Sequence, residues 1–186
     1  MKKQTTSILI AVVLVVILAA LSRVVLYPHN FSPIIALAVF GGAVIKDKKF
    51  AFALPLFAML LSDIIFEVFT TTQGFWGLAQ VANYAILGLI TIIAFNLKKI
   101  NVLNVAVYSI MSSVIFFILS NSACFFISNP VYHMYAQNFG GYIACITAGV
   151  PFFRTNLIAD LVYSGVLFGA YYWMLQSATK NKEAIA

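Results

Sequence analysis

An all-α membrane bundle of six transmembrane helices is the fold class this sequence predicts, and three observations predict it. Of its 186 residues, 63% are hydrophobic and 9% are charged, whereas soluble domains carry about 25% charged residues. Uncharged runs of roughly 18 residues or more recur along the chain, the length that reads as a spanning helix. No run of about ten residues alternates polar with apolar, as a membrane barrel strand does. With no internal repeat, linker or low-complexity tract, residues 1–186 read as one integral membrane domain.

The formal charge of +6 does not point to nucleic acid. There is no basic stripe with interleaved aromatics, and the lysines sit in four small clusters between apolar runs, as topology signals do. Membrane lipid is therefore the expected surrounding partner.

In chain order, a short basic start carrying Lys2 and Lys3 precedes the first span, residues 7–26. A signal peptide is the rival reading, with cleavage near Ser22, but the apolar run continues to Leu26. Pro28 stops the helix. Residues 31–45 form a short second span, in which Ala38 and Gly42 make a small-residue pair that lets another helix come close. The charged turn at Lys46, Asp47, Lys48 and Lys49 leads to the third span, 50–70, which carries Asp63 and Glu67. A Thr/Gly-rich loop ending in Phe75 and Trp76 precedes the fourth span, 78–97, and Lys98 and Lys99 precede the fifth, 102–127. In the fifth, Ser109, Ser113, Ser120 and Asn121 fall near one stripe, a pattern that serves either helix–helix hydrogen bonding or a polar pocket. A loop with Pro130 and His133 follows. Residues 142–153 are apolar but too short to cross about 30 Å and read as a half-helix before the sixth span, 155–176, where Gly165 and Gly169 form a second packing pair. Tyr171, Tyr172 and Trp173 read as an interfacial belt.

Six crossings put all nine lysines on one side, which the positive-inside rule makes the cytoplasm. The expected setting is a bacterial inner membrane with both termini inside. Arg23 and Arg154 then lie on the outer side, at a depth similar to Asp63, Glu67 and Asp160. A charge inside a spanning segment marks a functional site by default, and Arg can pair a carboxylate with two parallel hydrogen bonds. Both arginines are therefore expected in contact with a carboxylate. Such a network either pins helices together or lines a ligand pocket open to the outside. The residues expected to bind substrate are Arg23, Asn30, Asp63, Glu67, Trp76, Asn121, Arg154, Asn156 and Asp160.

Catalysis is not expected. The chain has no H-E-x-x-H, no G-x-S-x-G and no Gly-rich phosphate loop. His29 and His133 are isolated, and Cys124 and Cys145 lack metal-ligand spacing; the cysteines read as core filler. No cofactor or metal is expected.

Several stretches carry a resemblance when taken together: Arg23 with Pro28-His29-Asn30-Phe31-Ser32-Pro33, then Ala38-Val39-Phe40-Gly41-Gly42-Ala43, then Pro55-Leu56 with Met59-Leu60-Leu61-Ser62-Asp63, and finally Gly149-Val150-Pro151-Phe152-Phe153-Arg154-Thr155-Asn156 with Asp160-Leu161 and Tyr163. The chain resembles a bacterial membrane family of unknown function, over nearly its whole length. That family is in turn similar to the substrate-binding S components of energy-coupling-factor transporters, most of all the solitary cobalamin type. The resemblance implies a six-helix S-component fold, a small vitamin-like ligand held at the outer face by the first, third and fifth loops, and an energising transporter module as partner. The chain departs from that type in lacking a cysteine in residues 70–80, and from the nickel and cobalt members in having Lys2, not histidine, after Met1. The rival function classes are a membrane scaffold with a structural ion-pair network and an intramembrane enzyme.

Overall fold

In a computed structural model of the chain, residues 14–24 and 30–183 are described, the side chains of 177–183 excepted. Residues 7–13 of the first expected span, Lys2, Lys3, Pro28, His29 and the side chains of Lys180 and Lys182 lie outside that set. The described elements are all helical: α1 (Leu14–Val24), α2 (Ile34–Val44), α3 (Lys48–Phe69), α4 (Leu78–Ala94), α5 (Val102–Ala123), a π-helical turn (Cys124–Ser128), α6 (Asn129–Tyr132) and α7 (Phe139–Glu183).

Local chemistry sets several of these ends. The Asp47 side chain caps α3 by accepting from the Lys49 N–H at 2.9 Å, and Asn101 caps α5 by accepting from the Asn104 N–H at 2.8 Å. Each satisfies an amide that has no acceptor within its own helix. After α6, His133 adopts a left-handed conformation, φ 51°. The loop beyond it is stapled by the buried Asn129, whose amide donates to the Tyr135 carbonyl at 3.0 Å and accepts from the Tyr135 N–H at 2.7 Å.

α2 is the centre of the bundle. Eight of its eleven residues are buried, the mark of a helix that is apolar all round, and it packs against α3, α4, α5 and α7. Gly42 makes this possible: a Cβ there would sit 2.4 Å from the Thr91 carbonyl oxygen and 2.7 Å from the Ala94 Cβ. α5 and α7 form an antiparallel pair. Ser109 Oγ donates to Ser164 Oγ at 2.8 Å, the Phe117 and Phe153 rings lie 4.8 Å apart, and Ser122 and Tyr142 hydroxyls meet at 2.9 Å.

Three helices are long and apolar enough to cross a membrane: Lys48–Phe69, Val102–Tyr132 and Phe139–Gln176. α2, at 11 residues, reaches only about 16 Å. The expected half-helix over 142–153 does not form. α7 runs unbroken through it and through Pro151 for 45 residues, about 68 Å, so roughly half of it exceeds the hydrocarbon core. The half-helix followed from treating 142–153 as a separate piece, which its continuity with the last span removes. Gly165 and Gly169 do not pack a helix either; a Cβ at each would meet nothing within 4 Å, and both line an apolar groove between α5 and α7. Of the expected belt, Tyr172 and Trp173 are exposed while Tyr171 packs edge-on against Phe40. Cys124 and Cys145 are free thiols, Cys145 buried.

The two glycine pairs should therefore behave oppositely. Gly42→Ala is expected to destabilise by about 1–3 kcal/mol through overpacking, and Gly165→Ala to be neutral or slightly stabilising. Thermal melting of both purified variants beside the parent checks this; equal melting temperatures would refute the close α2–α4 contact.

Candidate functional site

At the end of the bundle away from the Lys46–Lys49 and Lys98–Lys99 turns, the polar side chains converge on Asp63. Asp63 is 1% exposed, and both its oxygens are used. Oδ1 accepts from Nη1 of Arg23 in a salt bridge. Oδ2 accepts from Gln80 Nε2 at 2.6 Å and from Tyr84 Oη at 2.7 Å. One carboxylate thus ties α1, α3 and α4. Arg23 Nη1 also donates to Ser62 Oγ at 2.6 Å, and the guanidinium lies 5.4 Å over the Phe66 ring, an arrangement that favours a cation.

The loop between α3 and α4 is drawn onto this centre. Gln80 donates to the Gly74 carbonyl at 2.9 Å and accepts from the Trp76 N–H at 3.0 Å. Glu67 Oε2 accepts from the backbone N–H groups of Gly74 and Phe75 at 2.8 and 3.2 Å. Gly74 lies so close to α3 that a Cβ would stand 2.0 Å from the Asp63 carbonyl oxygen, so only glycine fits there.

Beside this network opens a cleft of two lobes, about 410 and 290 Å³, which share Arg23, Asn30, Met59, Trp76, Phe116 and Asn156 as walls. The larger lobe is floored by Asp63 and Phe66 and rimmed by Ser32, Thr72 and Gln73. The smaller is walled by Asn83, Phe117, Asn121 and Phe153. Asn30 stands at the mouth in a left-handed conformation, φ 69°, which Asn adopts more readily than most side chains. These volumes suit a small organic molecule.

Of the nine residues expected to bind substrate, Arg23, Asn30, Asp63, Trp76, Asn121 and Asn156 line the cleft. Three are placed otherwise. Glu67 spends its carboxylate on the loop amides. Asp160 is fully buried below the cleft, accepting at Oδ2 from Ser113 Oγ at 2.6 Å and Asn156 Nδ2 at 3.0 Å. Its Oδ1 has no hydrogen-bond partner, while the carboxyl as a whole lies near the Ala36 backbone in the first turn of α2, where unpaired backbone amides favour negative charge. Arg154 is exposed, and among the described residues no ion pair includes it, so the expected pairing of both arginines holds for Arg23 alone. The reason is helical phase. Gly149, Phe153, Asn156 and Asp160 follow three- and four-residue spacing on the face toward α5, and Arg154 stands about 200° round the helix from Asn156.

Gln80, Asn83 and Tyr84 were missed by sequence reasoning. Their signal is three polar-tipped side chains within one turn at the start of an apolar helix, with Gln80 and Tyr84 in i, i+4 register.

The family model of DUF6580, a family of unknown function, matches residues 2–183, and the chain belongs to that family. No curated protein and no solved structure matches it.

If Asp63 is the centre of this end, Asp63→Ala should cost about 3–5 kcal/mol, because it strands a largely buried guanidinium. The double variant Arg23→Met with Asp63→Ala should recover part of that loss. Arg154→Gln should melt within about 2 °C of the parent. Calorimetry of the four proteins in one detergent checks this, and a loss for Arg154→Gln as large as for Asp63→Ala would refute the assignment.

Proposed function

We propose that this member of DUF6580 is the substrate-binding membrane subunit of an uptake system for a small, vitamin-like nutrient. One observation carries the reading: the cleft is lined by side chains from α1, α3, α4, α5 and α7 and sits at the end of the bundle opposite the lysine turns. If the lysines face the cytoplasm, the cleft opens outward and the chain crosses a bacterial inner membrane six times with both termini inside. A binding subunit so built needs an energising partner to release its ligand inward. The resemblance of its motifs to energy-coupling-factor S components supports the same reading. The reading is a non-enzymatic one.

A membrane scaffold is the second reading, and a specific observation favours it. Both oxygens of Asp63 are satisfied by protein donors, as in a network whose work is to hold helices together. The cleft residues outside that network separate the two readings. Trp76 and Asn30 are exposed, and glycine accepts the positive φ of Asn30, so Trp76→Ala and Asn30→Gly should leave the fold intact.

For a binding subunit, mild purification of the parent followed by mass spectrometry of released small molecules should detect one compound near stoichiometry. That compound should fall at least tenfold in each variant, as when a main binding contact is removed. Equal small-molecule profiles for parent and variants would favour the scaffold.

A further inference from the structure

The side chain of Asn83 is the unexplained polar group of the cleft. It is 6% exposed, its Oδ1 is buried without a partner, and none of the side-chain hydrogen bonds among the described residues involves its amide. Buried polar side chains are nearly always paired, and an exception calls for a cause. Its neighbours on α4, Gln80 and Tyr84, turn to Asp63, whereas Asn83 borders the 290 Å³ lobe. Whichever way its amide is turned, it presents one donor and one acceptor.

The other walls of that lobe narrow the chemistry. Phe116, Phe117, Phe153 and Trp76 wall it with aromatic rings. Asn121 donates its Nδ2 to the Phe117 carbonyl at 2.7 Å, and Asn156 donates its Nδ2 to Asp160 at 3.0 Å. Both therefore spend a donor on the protein; the Asn121 oxygen lies against Gly149, and the Asn156 oxygen accepts no hydrogen bond among the described residues. Arg23 is neutralised by Asp63 but engages only its Nη1, so a ligand finds further guanidinium N–H donors with little net positive charge behind them. A cation finds no carboxylate free of protein donors, since both oxygens of Asp63 already accept from the protein.

We propose that Asn83 determines specificity in this cleft, and that the ligand is a neutral, planar heterocycle with an N–H beside a C=O. The ring stacks among the aromatic walls. With the Asn83 amide turned toward the lobe, the ring's N–H donates to Oδ1 and its C=O accepts from Nδ2, the two-bond geometry by which an amide reads a base edge. A further N–H on the ring finds the free oxygen of Asn156. The proposal rests on reading the cleft as a ligand site and adds the class of ligand.

The test is isothermal titration of the full chain in lipid nanodiscs with five probes. Uracil and nicotinamide carry the N–H and C=O groups, 1,3-dimethyluracil keeps the ring without N–H, and benzoate and inorganic phosphate are anions. Uracil or nicotinamide should bind, with 1,3-dimethyluracil and both anions at least tenfold weaker. Asn83→Leu, and Asn83→Ala as a second variant, should weaken that binding at least tenfold. The ligand-free melting temperature of Asn83→Leu should stay equal or rise, because an unpaired buried amide has been removed. Binding of benzoate or phosphate that is indifferent to Asn83→Leu would overturn the ligand class while leaving the cleft a ligand site. Failure of every probe, together with a lowered melting temperature for Asn83→Leu, would overturn both and make Asn83 structural.

Discussion

The pairing of Asp63 with Arg23 is the constraint on which the cleft end of the bundle depends. A guanidinium on α1 packed into an apolar bundle is tolerable only if a carboxylate and hydrogen-bond acceptors meet it. Asp63 and Ser62, adjacent on α3, do so. The carboxylate in turn needs donors for its second oxygen, and Gln80 and Tyr84 supply them from α4. Gln80 then recruits the loop through Gly74 and Trp76, so Trp76 is held at the cleft wall by two hydrogen bonds in series from the buried Asp63. The arrangement closes at the far side of the loop, where Glu67 takes the two amides that Gln80 leaves.

The small residues of α2 set where this end can be. With glycine at position 42 the α2 backbone lies against α4, and Gly41 brings it as close to α3, a Cβ there standing 2.8 Å from the Ala51 carbonyl oxygen. A short, wholly apolar helix with no room for water has no freedom to slide. Its N-terminal lead, Asn30 to Pro33, is thereby held over the cleft, with Asn30 and Ser32 among the lining residues. The interhelical bonds of Ser109 and Ser113 on the α5–α7 side play the corresponding part, fixing Asn156 through Asp160.

Composition alone made the helical class legible, because an apolar chain in a membrane must satisfy its backbone internally. The sites of the charges were legible too: Arg23 and Asp63 stand out in apolar surroundings, and they meet. What the sequence could not convey was angular position across breaks in helix assignment. Once 142–153 was read as separate from the last span, Arg154 became a helix mouth; in the continuous α7 it is one position on the outward face. Glu67 misled for a related reason. Its i, i+4 relation to Asp63 places both on one side of α3, but a single further turn carries Glu67 past the cleft and under the loop. Gln80, Asn83 and Tyr84 went unread because uncharged polar side chains look unremarkable beside charges, although in an apolar helix they carry the same desolvation argument.

Satisfied and unsatisfied groups divide the work at this end of the molecule. Asp63, with both oxygens engaged by protein, has the character of a fixed support, and a ligand could displace its donors only at the expense of the bundle. Asn83, one turn along the same helix from Gln80, has no hydrogen-bond partner among the described residues. Folding gains nothing from an amide left in that state, since leucine would fill the same volume without the desolvation penalty. The polar groups that look most functional in sequence are thus the ones the fold uses for itself. The amide that folding leaves idle, bordering a small cavity walled by aromatic residues, has bonding capacity left to offer.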